Sequence, residues 1–236
     1  MISQLFQLLI CQPLFNFLIF IYNLLPNLGL SVIVLTGLIK LLTLPLNTRA
    51  FKLQQIMAGI QSELKNVQKK HKDNPEEQAK AVSEIFKREK ISPLGPLMPI
   101  LIQLPILIAL YQLFWKGIWS ETNHLYSFIS KPEIINPLFL GIDLSRPNVV
   151  LAILAGIAQL IQTLMLPKPV PKDKGGGKEL SEKMSSTIQK QMMYFFPVLT
   201  VFILLKLPSA LGLYWLVTSI FSGWQQYVLN KSTPKI

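Results

Sequence analysis

Thr36, Lys40, Thr43 and Asn47 follow one another at spacings of four, three and four residues, the first three inside the run "SVIVLTGLIKLLTLPL". On a helix this spacing stacks all four on one face and leaves Val, Ile and Leu on the others. A cation in an apolar run at membrane depth costs on the order of 3 kcal/mol even on a lenient insertion scale, so Lys40 needs a partner, a water-filled cavity or an escape route. Other apolar segments carry matching polar groups: Gln103, Gln159 and Gln162 at i and i+3, and Trp215, Ser219, Ser222 and Gln226 along one stripe. Two arrangements account for them. Lys40 lies about six residues, roughly 9 Å, from the end of its helix, within reach of a snorkelling lysine, and the glutamines would then be interhelical glue. Alternatively, the groups face one another across a hydrated groove with Lys40 as its cation.

Several chemistries are disfavoured by what these segments omit. They contain no Asp or Glu, which argues against a proton-relay transporter or an aspartyl intramembrane protease. His71 and His124 fall outside the apolar segments, leaving a Ser–His dyad no base. A lone cysteine, Cys11, supports neither a disulfide nor a transition-metal cluster, and Ile10 before it spoils a lipoprotein cleavage box. "KGGGK" follows no strand and reads as linker rather than phosphate loop. No catalytic residue, metal or cofactor is expected.

The elements that must position these side chains read as an all-α integral membrane protein. Half of the 236 residues are hydrophobic and only 15% are charged, against about 25% in a typical soluble domain. Five spans are predicted at about 28–48, 93–115, 148–166, 191–206 and 208–229. Residues 1–27 are apolar but broken by Gln, Asn and Pro13, and read as an interfacial amphipathic helix with neither n-region nor cleavage site of a signal peptide. Between the first two spans, residues 49–92 form a helical hairpin. Ile56, Ile60, Leu64 and Val67 stripe its first arm, Val82, Ile85 and Phe86 its second, and Asp73-Asn74-Pro75 make the turn. Residues 167–190 are a Pro/Gly/Lys-rich flexible linker, and 231–236 a short tail.

Charge orients the chain. The formal net charge of +11 comes from basic residues grouped beside apolar segments, ten of them in 47–93 and six in 167–190. Only Lys116, Lys131, Arg146 and Lys206 lie in the opposite connections. By the positive-inside rule the hairpin, linker and C-terminus are cytoplasmic and the N-terminus is outside. Topology explains the positive charge, so no specific nucleic-acid partner is needed.

"NLGLSVIVLTGLIKLLTLPL", then a charged hairpin, then "KREKISPLGPLMPILIQLPILIALYQLFW" closely resembles the YidC-type membrane protein insertases of the YidC/Oxa/Alb superfamily. "FFPVLTVFILLKLPSALGLYWLVTSIFSGWQQYVL" resembles that family's last two spans, and the similarity runs in order over residues 13–230. The resemblance implies a five-span core around a hydrophilic groove open to cytoplasm and lipid. Lys40 matches a groove cation that is usually arginine, and Thr36, Gln103 and Trp215 match groove-lining positions. Gln159 and Gln162 compete for a third-span glutamine. Thr43 and Ser219 join the candidate groove through their helical stripes. Lysine departs from the family pattern because its point charge lacks the fork with which arginine grips a carboxylate. The resemblance is to a short form of the family, expected to be without the large extracytoplasmic domain that some relatives carry before the core.

The function implied is insertion and chaperoning of small or weakly hydrophobic membrane proteins, without covalent chemistry. The hairpin, with Lys69, Lys70, Asp73, Asn74 and Pro75 at its tip, would receive the nascent chain. Partners are nascent membrane proteins and the lipid bilayer, with the Sec translocon and the ribosome as further candidates. A small-solute channel or carrier, or a non-catalytic assembly factor, stands as the alternative. A carrier usually shows inverted repeats, which this sequence does not supply.

Overall fold

A computed structural model describes residues 2–92, 95, 98–115, 125–167 and 193–232. The expected linker beyond residue 167, the prolines at 93 and 96, His124 and the last four residues lie outside these.

The described residues are mostly helical. Helix α1 (Ile2–Phe6) runs through a π turn (Gln7–Cys11) into α2 (Gln12–Leu24). Next come α3 (Leu28–Lys70), α4 (Pro75–Arg88) and α5 (Met98–Trp115). A two-stranded hairpin, β1 (Leu138–Phe139) and β2 (Ile142–Asp143), precedes α6 (Val149–Leu164), α7 (Met193–Leu204) and α8 (Ser209–Ser232). Asparagine starts three helices: the side chains of Asn27, Asn74 and Asn148 accept from Leu30, Glu77 and Leu151 N–H groups that no helix turn satisfies.

One expectation about continuity fails. The sequence reading divides the N-terminal segment at Pro13, but the chain passes it as helix. A proline ring crowds the carbonyl four residues back, and the π turn just before it widens the helix at that point. The span boundary expected near residue 48 falls within a helix. There α3 is one helix of 43 residues, about 65 Å, so it outruns a 30 Å hydrocarbon core and supplies the hairpin's first arm. Polarity changes at Asn47–Arg49, but nothing there removes a backbone hydrogen bond. Pro45 does remove one, and Gln225 braces that turn by donating to Thr48 Oγ1 at 3.0 Å.

The main core gathers α2, α3, α5, α6 and α8 around Leu18, Val32, Leu35, Leu110, Ala155, Leu211 and Tyr214. Residues 125–147 close one end of the bundle, the loop end, through Ile129, Ile135 and Leu144. A separate small core of Ile60, Ile85 and Ile91 joins the far half of α3 to α4, where Arg88 grips Glu63 with two bonds of 2.8 and 2.6 Å.

Gln4–Leu24 is long and apolar enough to cross a membrane. Its partners place it differently. Gln7 donates to Gln112 near the end of α5, Asn16 accepts from Tyr126 N–H, and Asn23 donates to the Ser130 carbonyl. Sixteen residues of helix span about 24 Å, yet every one of these contacts lies at the loop end. The N-terminal helix therefore lies across that end of the bundle rather than alongside it.

The hairpin turn at the loop end is unusual. Leu140 and Gly141 both have positive φ, 50° and 79°, the two-residue turn that Asn-Gly normally fills. Leucine in that conformation costs about 1 kcal/mol or more.

Candidate functional site: a polar cavity between the helices

Lys40 points inward. Its residue is 6% exposed, whereas Leu41 and Leu42 beside it on α3 are exposed. Its Nζ donates to Ser222 Oγ on α8 at 3.0 Å, so the ammonium reaches across the bundle rather than along its own helix. It borders a cavity of about 390 Å³ whose walls come from α3, α5, α6 and α8. Each wall contributes polar groups among apolar ones such as Phe51, Leu104, Leu107 and Leu229: Asn47 and Gln54 from α3, Gln103 from α5, Gln159 and Gln162 from α6, and Ser219, Ser222, Gln225 and Gln226 from α8. Among the described residues, no Asp or Glu lines it, and Lys40 is the one formal charge there.

The cavity has a direction. Along α3 it extends from Lys40 to Gln54, fourteen residues or about 21 Å, toward the α4 end. At the loop end it meets apolar packing, with Val32, Leu35, Leu211 and Tyr214 each no more than 1% exposed. It is a pocket with one closed end.

Lys40, Gln103, Gln159, Gln162, Trp215 and Ser219 all line this space. Trp215 Nε1–H donates to Gln159 Oε1 at 3.0 Å, tying α8 to α6. Thr36 and Thr43 are not among its lining residues. Thr36 is fully buried and its hydroxyl donates to the Val32 carbonyl at 2.6 Å; Thr43 does the same to Ile39 at 2.8 Å. These back-bonds satisfy the hydroxyl donors, and Thr43 Oγ1 also accepts from the Asn47 side chain at 3.1 Å; helical spacing alone does not reveal them. Asn47, Gln54, Thr218 and Gln225 belong to the lining as well. Asn47, Ser222 and Gln226 were visible in the polar stripes. Tyr214 gave no such signal, because an aromatic in an apolar run reads as core.

Tyr214 matters through Gln103. The Gln103 side-chain amide donates to the Tyr214 hydroxyl, which is buried beneath the cavity. Tyr214→Phe is expected to leave that amide short of an acceptor and to cost about 1–2 kcal/mol of stability. Adding Gln103→Leu should recover part of the loss, so the double variant is more stable than the two single effects summed. Thermal unfolding of the four proteins in one detergent checks this.

At the other end of the molecule, Lys69 and Lys70 close the last turn of α3, and Asp73 sits in the turn between α3 and α4. Asn74 caps α4, Pro75 is its first residue, and His71 Nδ1 meets Glu77 at 3.0 Å across the turn. None of the five lines the cavity.

The sequence matches the family described as 60Kd inner membrane protein over residues 20–235. The chain belongs to that family. It is 34% identical over 224 residues to a protein named membrane protein insertase YidC from Chloroherpeton thalassium, covering 94% of this chain and 35% of that one. Proteins of the same name from Methylobacillus flagellatus and Buchnera aphidicola are 33% and 32% identical, covering 96% and 95% of this chain and 36% and 37% of theirs. The chain thus spans about a third of the length of the curated relatives it matches. The resemblance of its motifs to YidC-type insertases is therefore shared along nearly the whole chain. The outer faces of the bundle carry exposed apolar residues, among them Leu41 and Leu42 on α3, Leu101 on α5, and Ile153 and Ile157 on α6.

Proposed function

We propose that this chain is a membrane protein insertase and chaperone, working through the cavity around Lys40. The observation that carries the reading is one buried cation among amides and hydroxyls, with no acidic residue among the described lining residues to neutralise it. A polar or acidic segment entering from the α4 end exchanges water for these groups, which lowers the desolvation cost that otherwise holds it out of the bilayer. Gln226 Oε1 is buried without a hydrogen-bond partner among the described residues. A buried acceptor of that kind calls for water or a substrate donor. Burial of the substrate's own apolar span in lipid then drives release, with no covalent step.

Within this reading the core crosses the membrane five times, in the order α3, α5, α6, α7 and α8, with the α4 end cytoplasmic and the N-terminus outside. The N-terminal helix, lying across the loop end, rests in the outer interface. Nascent membrane proteins are the substrates, the bilayer is the second partner, and the Sec translocon and the ribosome are the candidates for delivery on the basic cytoplasmic side. The apolar packing that closes the loop end weighs against a channel or carrier, which needs a path through.

Purified chain in protein-free liposomes tests the function: insertion of a small single-span substrate should exceed that into blank liposomes, and equal insertion in both would overturn it. The turn between α3 and α4 offers a separate check. Removing Asp73, Asn74 and Pro75 takes the cap from α4 at a local cost of about 1 kcal/mol, but the Ile60–Ile85–Ile91 contacts and the Arg88–Glu63 pair lie away from the tip. Insertion is expected to fall in part while thermal unfolding stays cooperative. Loss of all folded protein would make the turn part of the core instead.

A further inference from the structure

Residues 125–147 pack their apolar side chains inward at Ile129, Ile135 and Leu144, yet four others point away from the protein. Phe128 and Ile134 are each 77% exposed, Leu138 is 53% exposed, and Leu140 at the hairpin tip is 86% exposed. Leu140 bears two burdens at once, a left-handed backbone and a bare isobutyl group. In water, asparagine or glycine would relieve both. The hairpin is also held in place. Phe139 covers Gly29, where a methyl group would overlap its ring, and the strand's continuation accepts from Ser209 and Ala210 N–H through the Arg146 and Leu144 carbonyls.

That seating fixes the level of the tip. Gly29 belongs to the first turn of α3, and α6 and α8 begin at the same end. Exposed apolar residues start there, at Leu30 on α3 and at Val149 and Val150 on α6, and continue down the outer faces of the bundle. A patch made for a protein partner has an edge; this one runs on into the surface that a bilayer must cover. Lys131 stands exposed beside it, within reach of lipid phosphates, and Arg146, paired with Asp143 at 3.4 Å, is exposed as well.

We propose that the β1–β2 hairpin tip, with Leu140 foremost, is a lipid anchor that dips into the bilayer interface at the loop end and holds the closing loop in register with the helix starts. The proposal rests on the membrane reading above and adds to it a segment that spans nothing.

The test uses the full chain carrying Cys11→Ser and a single new cysteine, Leu140→Cys, Glu133→Cys or Leu42→Cys, each labelled with an environment-sensitive fluorophore. The chains are reconstituted in vesicles of phosphatidylethanolamine and phosphatidylglycerol. Aqueous iodide and shallow or deep nitroxide lipids serve as quenchers. The label at Leu42 should be quenched by the deep nitroxide, that at Glu133 by iodide, and that at Leu140 by the shallow nitroxide with little effect of iodide. A Leu140 label as open to iodide as the Glu133 label, while Leu42 stays lipid-quenched, would overturn the anchor alone. Protection of Leu140 from both quenchers would mean that protein covers the tip, and overturns it too. Iodide quenching at Leu42 would overturn the membrane reading and the anchor together.

Discussion

Lys40→Glu abolishes insertion of substrates with acidic tails, while Lys40→Arg keeps it. The difference follows from Coulomb energy in a poorly hydrated space. At roughly 6 Å and an effective dielectric constant of about 20, an ammonium attracts a carboxylate by about 3 kcal/mol, and a glutamate repels it by as much. Loss of the attraction alone is worth about 100-fold in binding, and the reversal adds to it. Arginine keeps the charge, and its guanidinium can still donate to Ser222. Insertion into liposomes, compared for a substrate with an acidic tail and one whose tail acids are changed to amides, checks both halves. The Glu variant should be less impaired on the amide substrate. Wild-type activity of Lys40→Glu on the acidic substrate would remove Lys40 from the mechanism.

Gly156→Val is expected to unseat α7. A side chain at Gly156 on α6 would overlap the Val201 side chain and press on the Pro197 carbonyl, so the two helices touch only because glycine has no Cβ. Overfilling such a contact costs about 2 kcal/mol, or a fall of about 5 °C in Tm for a chain of this size. The effect reaches the cavity. Thr200, Ile203 and Leu204 of α7 enclose an apolar space of about 200 Å³ together with Leu107 and Trp215, and those last two also line the polar cavity. Displacing α7 therefore loosens the wall that carries Trp215. Thermal unfolding in detergent measures the first effect, and insertion activity measured well below the lowered Tm the second. Gly156→Ala, one methyl rather than three carbons, should fall between.

How much of this was legible depends on what kind of fact is asked for. The inward face of α8 could be read because Trp215, Ser219, Ser222 and Gln226 keep a helical period, and a period survives whatever packs against it. Facing was not enough for Thr36 and Thr43. Both stand on the Lys40 stripe, but each hydroxyl donates to a carbonyl one turn back on its own helix. The reach of α3 through residue 48 was hidden because composition marks where water begins, not where hydrogen bonding stops. The helical passage at Pro13 was hidden for the reason already given, since the accommodating π turn lies in the preceding residues. Leu140-Gly141 escaped notice as a hairpin turn because its first residue is one that such turns rarely use. Lys40 itself was the clearest signal, and the open choice between a snorkelling lysine and one facing a cavity turns on its bond to Ser222.

The central claim is that the polar part of a substrate passes through this cavity, and contact during insertion tests it most directly. A photo-crosslinking residue placed at Gln103, and separately at the exposed Leu42 on the outer face of α3, is presented to a stalled nascent chain with a polar tail and one apolar span. The account predicts that the Gln103 position crosslinks to the polar tail, and that the Leu42 position does not. Efficient insertion with no tail crosslink at Gln103, or with equal tail crosslinks at both positions, would contradict it.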